Sequence, residues 1–433
     1  KDALQYGFVA GLEPFGLLTL PIAPALQAAV ARAQATAVAK HMTPIRETLR
    51  IEWPTPGEGR LRIGYVSGDF RNHATAHLTR KLFRVHDRAR FEIVGFSLRP
   101  DDGSAYRRDI VAGCDRFVEL FGLSNAEAAA RIAQERIHIL VDLHGYTRFA
   151  RPEIFALRPA PVQVSFLGYP GTLGAEYVPY VIADRVVLPD ELRPWFSECP
   201  VYLPDCYQVN DDEQPIATTG MTRTDAGLPE DGFVYCCFNR HGKIEPESFG
   251  AWMRILEQVP DSVLWLLTGD APAWQRQTEA HGIDPARLLF APRLPKAEHL
   301  ERHRLADLFL DTFTYNAHTT ASDALWAGLP VVTLRGGAFQ SRVCASLLTA
   351  LGLSELITVS GAEYEARAVD LARAPERMQE LRAQLRKRQS GGPPFATCSF
   401  VRDLERAFEA IWAVDQRLEE LDIPKDSFFK TIV

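Results

Sequence analysis

Short runs of apolar residues alternate along this chain with longer stretches in which apolar positions recur every three or four residues. From Arg60 onward the pattern is regular. Residues 61–67, Leu61-Arg-Ile-Gly-Tyr-Val-Ser67, predict a strand. A helix is expected over 76–85, a strand over 91–98, a helix over 125–135 and a strand over 137–143. Apolar runs at 162–167 and 180–187 complete this region. After a polar stretch the alternation restarts, with strands expected at 233–238, 263–267, 287–290, 307–310 and 330–334. Helices fall between them at 246–258, 298–306, 320–327 and 341–350. Strands alternating with helices in this way predict parallel sheets joined by crossover helices, an α/β fold.

The two ends differ from this texture. Residues 1–57 read as helical and then irregular, with an Ala-rich run at 25–39. That segment has too little bulk for a core of its own, so it is expected to be the remnant or cap of a helical array. Residues 400–418 place Phe400, Leu404, Phe408, Ile411 and Trp412 on one face, an amphipathic helix that needs a partner surface. The resulting division is a helical cap over 1–57 and a first doubly wound domain over 58–205. A linker over 206–227 and a second such domain over 228–395 follow, and a C-terminal helix and tail over 396–433 pack back across the domains. Two domains of this kind leave a cleft, and ligands bind beyond the carboxyl ends of the strands.

Composition narrows the function classes. The chain has 433 residues, 46% hydrophobic and 24% charged, which is ordinary for roughly two to four globular domains. A net charge of −7 leaves no chain-wide basic footprint, so no nucleic-acid partner is expected. Uninterrupted apolar runs of membrane-spanning length are missing, so no membrane partner is expected. The start, Lys1-Asp2, carries neither a signal-peptide pattern nor an initiator Met, and reads as that of a fragment or processed product. Seven cysteines, an odd number with no C-x-x-C pair, predict a reduced, cytoplasmic chain without a thiolate metal site.

Some common chemistries lack their motifs. No G-x-G-x-x-G follows an opening strand, and no P-loop or D-x-D triplet occurs. Other groups gather after strands. The segment Tyr315-Asn-Ala-His318-Thr319-Thr320 opens a helix containing Asp323, and a helix start with free amides is an anion site; ordinary N-capping explains the threonines equally well. Lys243 lies after the strand at 233–238, where it can meet a phosphate or simply be solvated. Lys296, His299 and Arg302 share one helix face. His73 and His77 follow the first strand; His73 is a candidate general base, and the pair lacks a visible third metal ligand. His144 closes the strand at 137–143 and faces the expected cleft as a candidate substrate contact.

Several stretches also resemble a known family. Leu61-Arg-Ile-Gly-Tyr-Val-Ser-Gly-Asp-Phe-Arg-Asn-His73, Phe155-Ala-Leu-Arg-Pro-Ala-Pro-Val-Gln163, Leu167-Gly-Tyr-Pro-Gly-Thr172 and His318-Thr-Thr-Ala-Ser-Asp-Ala-Leu-Trp-Ala-Gly328 are similar to the O-linked N-acetylglucosamine transferases. So are Val234-Tyr-Cys-Cys-Phe-Asn239 and Val263-Leu-Trp-Leu-Leu267, and the resemblance runs from about residue 60 to 415. It implies a GT-B fold of two Rossmann-like domains behind tetratricopeptide repeats. It also implies a UDP-N-acetylglucosamine donor, a protein Ser or Thr acceptor, inversion at the anomeric centre and no metal or other cofactor.

By motif, His73 matches the residue proposed as base and Lys243 the lysine on the leaving diphosphate. His318, Thr319 and Thr320 match donor phosphate and sugar contacts, and Asp323 the ribose-binding aspartate. Lys296 and His299 match further UDP contacts, Arg302 an arginine beside the uracil, and Gly168 a backbone contact near the sugar. Arg240 and Tyr315 depart from the Gln and Cys of animal enzymes, and Tyr315 is expected near the acetamido group. Competing readings are a nucleotide-sugar epimerase or small-molecule glycosyltransferase, and a non-catalytic UDP-binding repeat scaffold.

Overall fold

The computed structural model describes residues 12–54, 59–389 and 391–420. Parts of the predicted N-terminal cap (1–11 and 55–57) and of the C-terminal tail (421–433) lie outside these residues. The chain forms two compact units. One comprises the chain up to Asp211 together with the segment from Ala396; the other is Asp212–Phe395.

In the first unit, seven parallel strands form one sheet: β1 (Leu61–Ser67), β2 (Phe91–Ser97), β3 (Arg116–Glu119), β4 (Ile139–Asp142), β5 (Val162–Ser165), β6 (Tyr180–Ala183) and β7 (Cys199–Tyr202). Their order is β3-β2-β1-β4-β5-β6-β7. The apolar strand runs are buried on both faces, as a helix-covered parallel sheet requires. Helix starts are written locally. Ser124 accepts the Glu127 amide while Glu127 reaches back to Ser124, a capping box opening the helix Asn125–Gln134. The helix predicted over 76–85 is two short helices, Ala74–Thr79 and Leu82–Val85.

The helix Thr397–Glu420 completes this first unit. Val401, Leu404, Phe408 and Ile411 join Ile63, Tyr65, Val141 and Val164 in one buried cluster. A fully buried side chain of this size stabilises by about 1.5–3 kcal/mol relative to exposure. At the other end, the 25-residue helix Pro24–Thr48 buries Ala28, Ala31, Ala35, Val38 and Met42.

The second unit holds six parallel strands: β8 (Phe233–Cys237), β9 (Ser262–Leu267), β10 (Leu288–Ala291), β11 (Leu308–Leu310), β12 (Val331–Leu334) and β13 (Ile357–Thr358). Their order is β10-β9-β8-β11-β12-β13. The predicted linker is not a separate tether. Tyr207 is buried in the first unit, its amide 2.8 Å from Asp184 Oδ2. Arg223 pairs with Asp307 at 2.7 Å in the second. Strands β3, β7 and β13 and the helices Ala105–Gly113, Ala271–Ala280, Gly361–Ala372 and Pro375–Gln389 extend the sequence-based scheme.

Each sheet reverses its winding once. The chain lays β1, β2 and β3 outward in one direction and then returns to place β4 on the other side of β1. In the second unit the reversal lies between β8 and β11. At such points the loops leaving two adjacent strands diverge and open a crevice beyond the carboxyl ends.

Candidate active site

At the reversal of the first sheet, the loop after β1 carries Gly68, Asp69, Arg71 and His73, and the loop after β4 carries His144. Asp69 is buried, and Arg71 lies 3.3 Å from its carboxylate. His73 opens the helix Ala74–Thr79, with Nδ1 3.2 Å from Asp69 Oδ2 and 3.3 Å from the Thr75 amide. A proton on Nδ1 donates to Asp69 and leaves the Nε2 lone pair available as a base. A proton on Nε2 makes Nδ1 the acceptor for Thr75 instead. Burial lowers the His73 pKa and the Asp69 charge partly restores it.

His144 works as a strut. Its Nε2 accepts the Gly68 amide at 2.7 Å and Nδ1 donates to Thr147 Oγ1 at 2.8 Å. Both ring nitrogens are thereby occupied, and burial pushes its pKa down to about 4. Gly168 lies in the turn after β5, where a Cβ would fall 1.9 Å from the Leu143 carbonyl oxygen. Only glycine lets that turn press onto the loop carrying His144. His77 bonds Asn72 at 2.8 Å and packs on Tyr106.

In the second unit the loops after β8 and β11 are laced together. Asn239 Nδ2 donates to Thr312 Oγ1 at 2.9 Å, and Thr320 Oγ1 donates to Asn239 Oδ1. Glu245 Oε1 accepts the Phe313 amide at 3.1 Å. Lys243 Nζ donates to the Asn316 carbonyl at 2.8 Å and stands 3.8 Å from the centroid of the Tyr315 ring. No carboxylate lies within ion-pair distance of this ammonium among the described residues. Burial pulls the Lys243 pKa down to about 7, and the charge of Asp311 works against that fall.

The helix Thr319–Trp326 starts in the same loop. His318 precedes it without a side-chain cap, and among the described residues the amides of Thr319, Thr320 and Ala321 meet no acceptor. His318 stacks on Tyr315 at 4.8 Å and donates from Nε2 to the Gln340 carbonyl at 3.0 Å. Three outward amides and an uncompensated ammonium make a site for a multiply charged anion.

Lys296 and Asp323 form an ion pair at 2.5 Å, both nearly buried. His299 Nδ1 accepts from Arg302, whose buried guanidinium also bonds the Pro292 carbonyl and packs 4.6 Å from the Phe238 ring. Arg302 therefore stands behind His299. Arg240 is exposed at the head of the turn His241–Lys243.

The structure thus brings Lys243, Tyr315, His318, Thr319 and Thr320 together, with Asp323 one turn further along the same helix and Lys296, His299 and Arg302 on the helix Lys296–Arg302. Sequence reasoning missed Asp69, Asn239, Glu245, Asp311 and Thr312. The available signal was a lone polar residue at the end of an apolar strand, in Ser67-Gly-Asp69 and Leu310-Asp311. Among the described residues no group of three or more His, Cys, Asp or Glu is placed to hold a metal ion, and no helix is long and apolar enough to cross a membrane.

Comparison with known proteins gives a consistent picture. Over 427 residues the chain is 39% identical to the probable UDP-N-acetylglucosamine–peptide N-acetylglucosaminyltransferase SEC of Arabidopsis thaliana, covering 95% of this chain and 44% of that protein. It is 32% identical to the UDP-N-acetylglucosamine–peptide N-acetylglucosaminyltransferase of Caenorhabditis elegans, covering 82% of this chain and 41% of that one. The chain therefore spans less than half the length of these curated relatives. A solved structure of an O-GlcNAc transferase mutant from Thermobaculum terrenum superposes with a TM-score of 0.84 at 29% identity, covering 95% of this chain and 78% of that one. The profile of glycosyl transferase family 41 matches residues 2–218 and 211–404. With both sheets reversing at the loops that carry these motifs, the chain belongs to glycosyl transferase family 41.

Proposed function

We propose that this chain is a GT-B glycosyltransferase that moves N-acetylglucosamine from UDP-N-acetylglucosamine to Ser or Thr hydroxyls of proteins, inverting the anomeric centre without a metal. The observation that carries this reading is Lys243: a nearly buried ammonium without a contacting carboxylate, in one loop network with the open amides of a helix start. As the acceptor oxygen bonds to the sugar C1, the bond from C1 to the diphosphate oxygen breaks. The hydroxyl proton passes to His73 Nε2, with Asp69 accepting from Nδ1. Lys243 and the amides of Thr319 and Thr320 take up the charge that develops on the departing UDP, the task a divalent cation performs in other sugar-nucleotide sites. Asp323 and Lys296 open their ion pair to the ribose hydroxyls, and His299, backed by Arg302, lies toward the base. Seven free cysteines support a reducing, cytoplasmic setting.

Calorimetric titration with UDP, with and without EDTA, tests this reading on wild type and Lys243→Ala. Metal-independent binding that the substitution weakens is expected. Absence of binding at millimolar UDP would overturn it. Donor turnover then separates a transferase from a UDP-binding scaffold, and product analysis without a protein acceptor separates it from an epimerase.

A further inference from the structure

Arg99, Arg148 and Phe149 on the first unit carry charge and strain that sugar transfer leaves unused. Arg99 follows β2, while Arg148 and Phe149 end the loop after β4. The two guanidinium carbons lie 4.3 and 4.8 Å from the centroid of the same Phe149 ring. An aromatic face attracts one such cation, but two on one ring repel each other. Neither arginine has a carboxylate partner among the described residues. The acids that follow Arg99 along the chain are engaged with backbone: Asp101 accepts the Gly103 amide at 2.8 Å, and Asp102 those of Asn72 at 2.8 Å and Ser104 at 3.1 Å. Asp69 is held by Arg71.

Phe149 is itself in an unfavourable state. Its φ is +72°, a region that a bulky side chain avoids, and the residue is 38% exposed. Such strain persists only where the surroundings enforce it, and it collects at binding and catalytic sites. The patch adjoins the loops described above. Gly68, next to Asp69, lies between Arg99 and His144: a Cβ there would fall 3.2 Å from Arg99 Cγ and 3.1 Å from His144 Nε2.

We propose that Arg99, Arg148 and Phe149 form a recognition site for an acidic segment of the polypeptide acceptor, flanking the hydroxyl that receives the sugar. The proposal rests on the reading of the acceptor as a polypeptide. Guanidinium forks bind carboxylates through paired charge-assisted hydrogen bonds, and the exposed ring gives the segment an apolar platform. The chain as a whole carries a charge of −7, so an acidic segment is disfavoured over most of the surface and drawn to this patch. Charge arranged in this way sets specificity more than raw affinity.

Two fluorescein-labelled peptides test it by anisotropy: Glu-Glu-Gly-Ser-Gly-Glu-Glu and its counterpart with Gln at every Glu. The acidic peptide is expected to bind wild type about tenfold more tightly. Arg99→Ala with Arg148→Ala abolishes that preference. Arg276→Ala with Arg304→Ala, the same charge change on exposed positions of the second unit, keeps it. Phe149→Gly suits the positive φ and removes only the platform, so it weakens both peptides and retains part of the preference. Equal binding of the two peptides to wild type, or a preference that survives loss of Arg99 and Arg148, would overturn the proposal; so would equal loss in the control pair. UDP calorimetry on the same variants keeps the questions apart. An unchanged thermal unfolding midpoint in the Arg99/Arg148 variant shows an intact first unit and unchanged UDP affinity an intact donor site, whereas a wild type that binds no UDP removes the transferase reading while the peptide data still decide the patch.

Discussion

Asp311 Oδ1 accepts the amide of Ala317 at 2.6 Å and so closes the loop that presents Tyr315, Asn316 and His318. The same oxygen accepts the Thr312 amide at 2.8 Å, and Oδ2 accepts the Thr333 hydroxyl at 2.7 Å. One buried carboxylate therefore shapes the surface on which Lys243 rests and also acts electrostatically on its charge. Burial pushes the Asp311 carboxyl up, while its hydrogen bonds and Lys243 oppose that rise.

Removing that charge separates the two roles. Asp311→Asn lets the Lys243 pKa fall further, since the remaining influences on it are burial, Arg240 and Cys237. At pH 6 most of the wild-type lysine is charged; at pH 8 the variant has lost the larger share of its ammonium. The ratio of wild-type to variant UDP affinity should grow about fivefold from pH 6 to pH 8, the effect of roughly one pKa unit. A ratio independent of pH would leave Asp311 only its hydrogen bonds.

Lys243 itself should show its depressed pKa on binding. An anion favours the charged ammonium, so UDP binding above about pH 7 takes up a proton. Calorimetry in two buffers of different ionisation enthalpy reads that uptake directly, and Lys243→Ala should eliminate it. Turnover in that variant should fall by about 10²–10³, the scale for losing one group aimed at developing negative charge. Thermal unfolding should move little, and near-wild-type turnover would remove the leaving-group role.

The Lys243 turn has a second anchor. His241 Nε2 donates to the Leu267 carbonyl at 2.7 Å, and the Trp274 indole donates to His241 Nδ1 at 2.9 Å. The imidazole occupies the space that a side chain on Gly269 would need, since a Cβ there would fall 2.0 Å from the ring. Gly269→Ala must displace His241, at a cost of about 1–3 kcal/mol. Lower thermal stability together with weaker UDP binding is the expected result. A variant that loses stability but keeps full UDP affinity would show that the anchor does not reach Lys243.

The first unit should weaken in acid. His86 is buried, with Nδ1 3.0 Å from Glu405 Oε1 and Nε2 2.9 Å from the Tyr65 hydroxyl. Burial lowers the His86 pKa. The folded chain therefore binds this proton less readily than the unfolded one. Its contribution is complete above the ordinary histidine value of about 6.5 and is lost as pH falls. Burial works against the Glu405 charge, yet His86 and the Asp87 amide hold its carboxyl below the usual range, which adds a loss at lower pH. Urea unfolding from pH 8 to 5.5 should show stability declining. His86→Leu should be less stable at pH 8 but have a flatter pH dependence.

Much of this architecture was legible in short-range pattern. Strand β1 is a seven-residue run ending at a polar turn, and β8 and β11 announce themselves in the same way. The edges were not. Strand β3 offers only Phe117 and Val118 as apolar positions, and β13 is two residues long. The helix Pro375–Gln389 is dominated by charge, with only Met378, Leu381 and Leu385 buried. Strand order depends on pairings between distant segments, which no local pattern encodes. The site divides similarly. His73, Lys243 and the threonine pair could be named from their places after strands. Asp69 and Asp311 look like ordinary capping acids until packing buries them, and His144 looks like a substrate contact until Gly68 and Thr147 are seen to occupy its two nitrogens.

The chain leaves the first unit at Asp211 and returns to it at Ala396. During synthesis the second unit is an uninterrupted stretch and can complete its core as soon as it has emerged. The first must wait with part of its interior open until Val401, Leu404, Glu405 and Phe408 arrive. The half of the protein translated earlier is thus finished last, and a chain ending at residue 396 would keep every strand of its second unit while its first lacked part of its core.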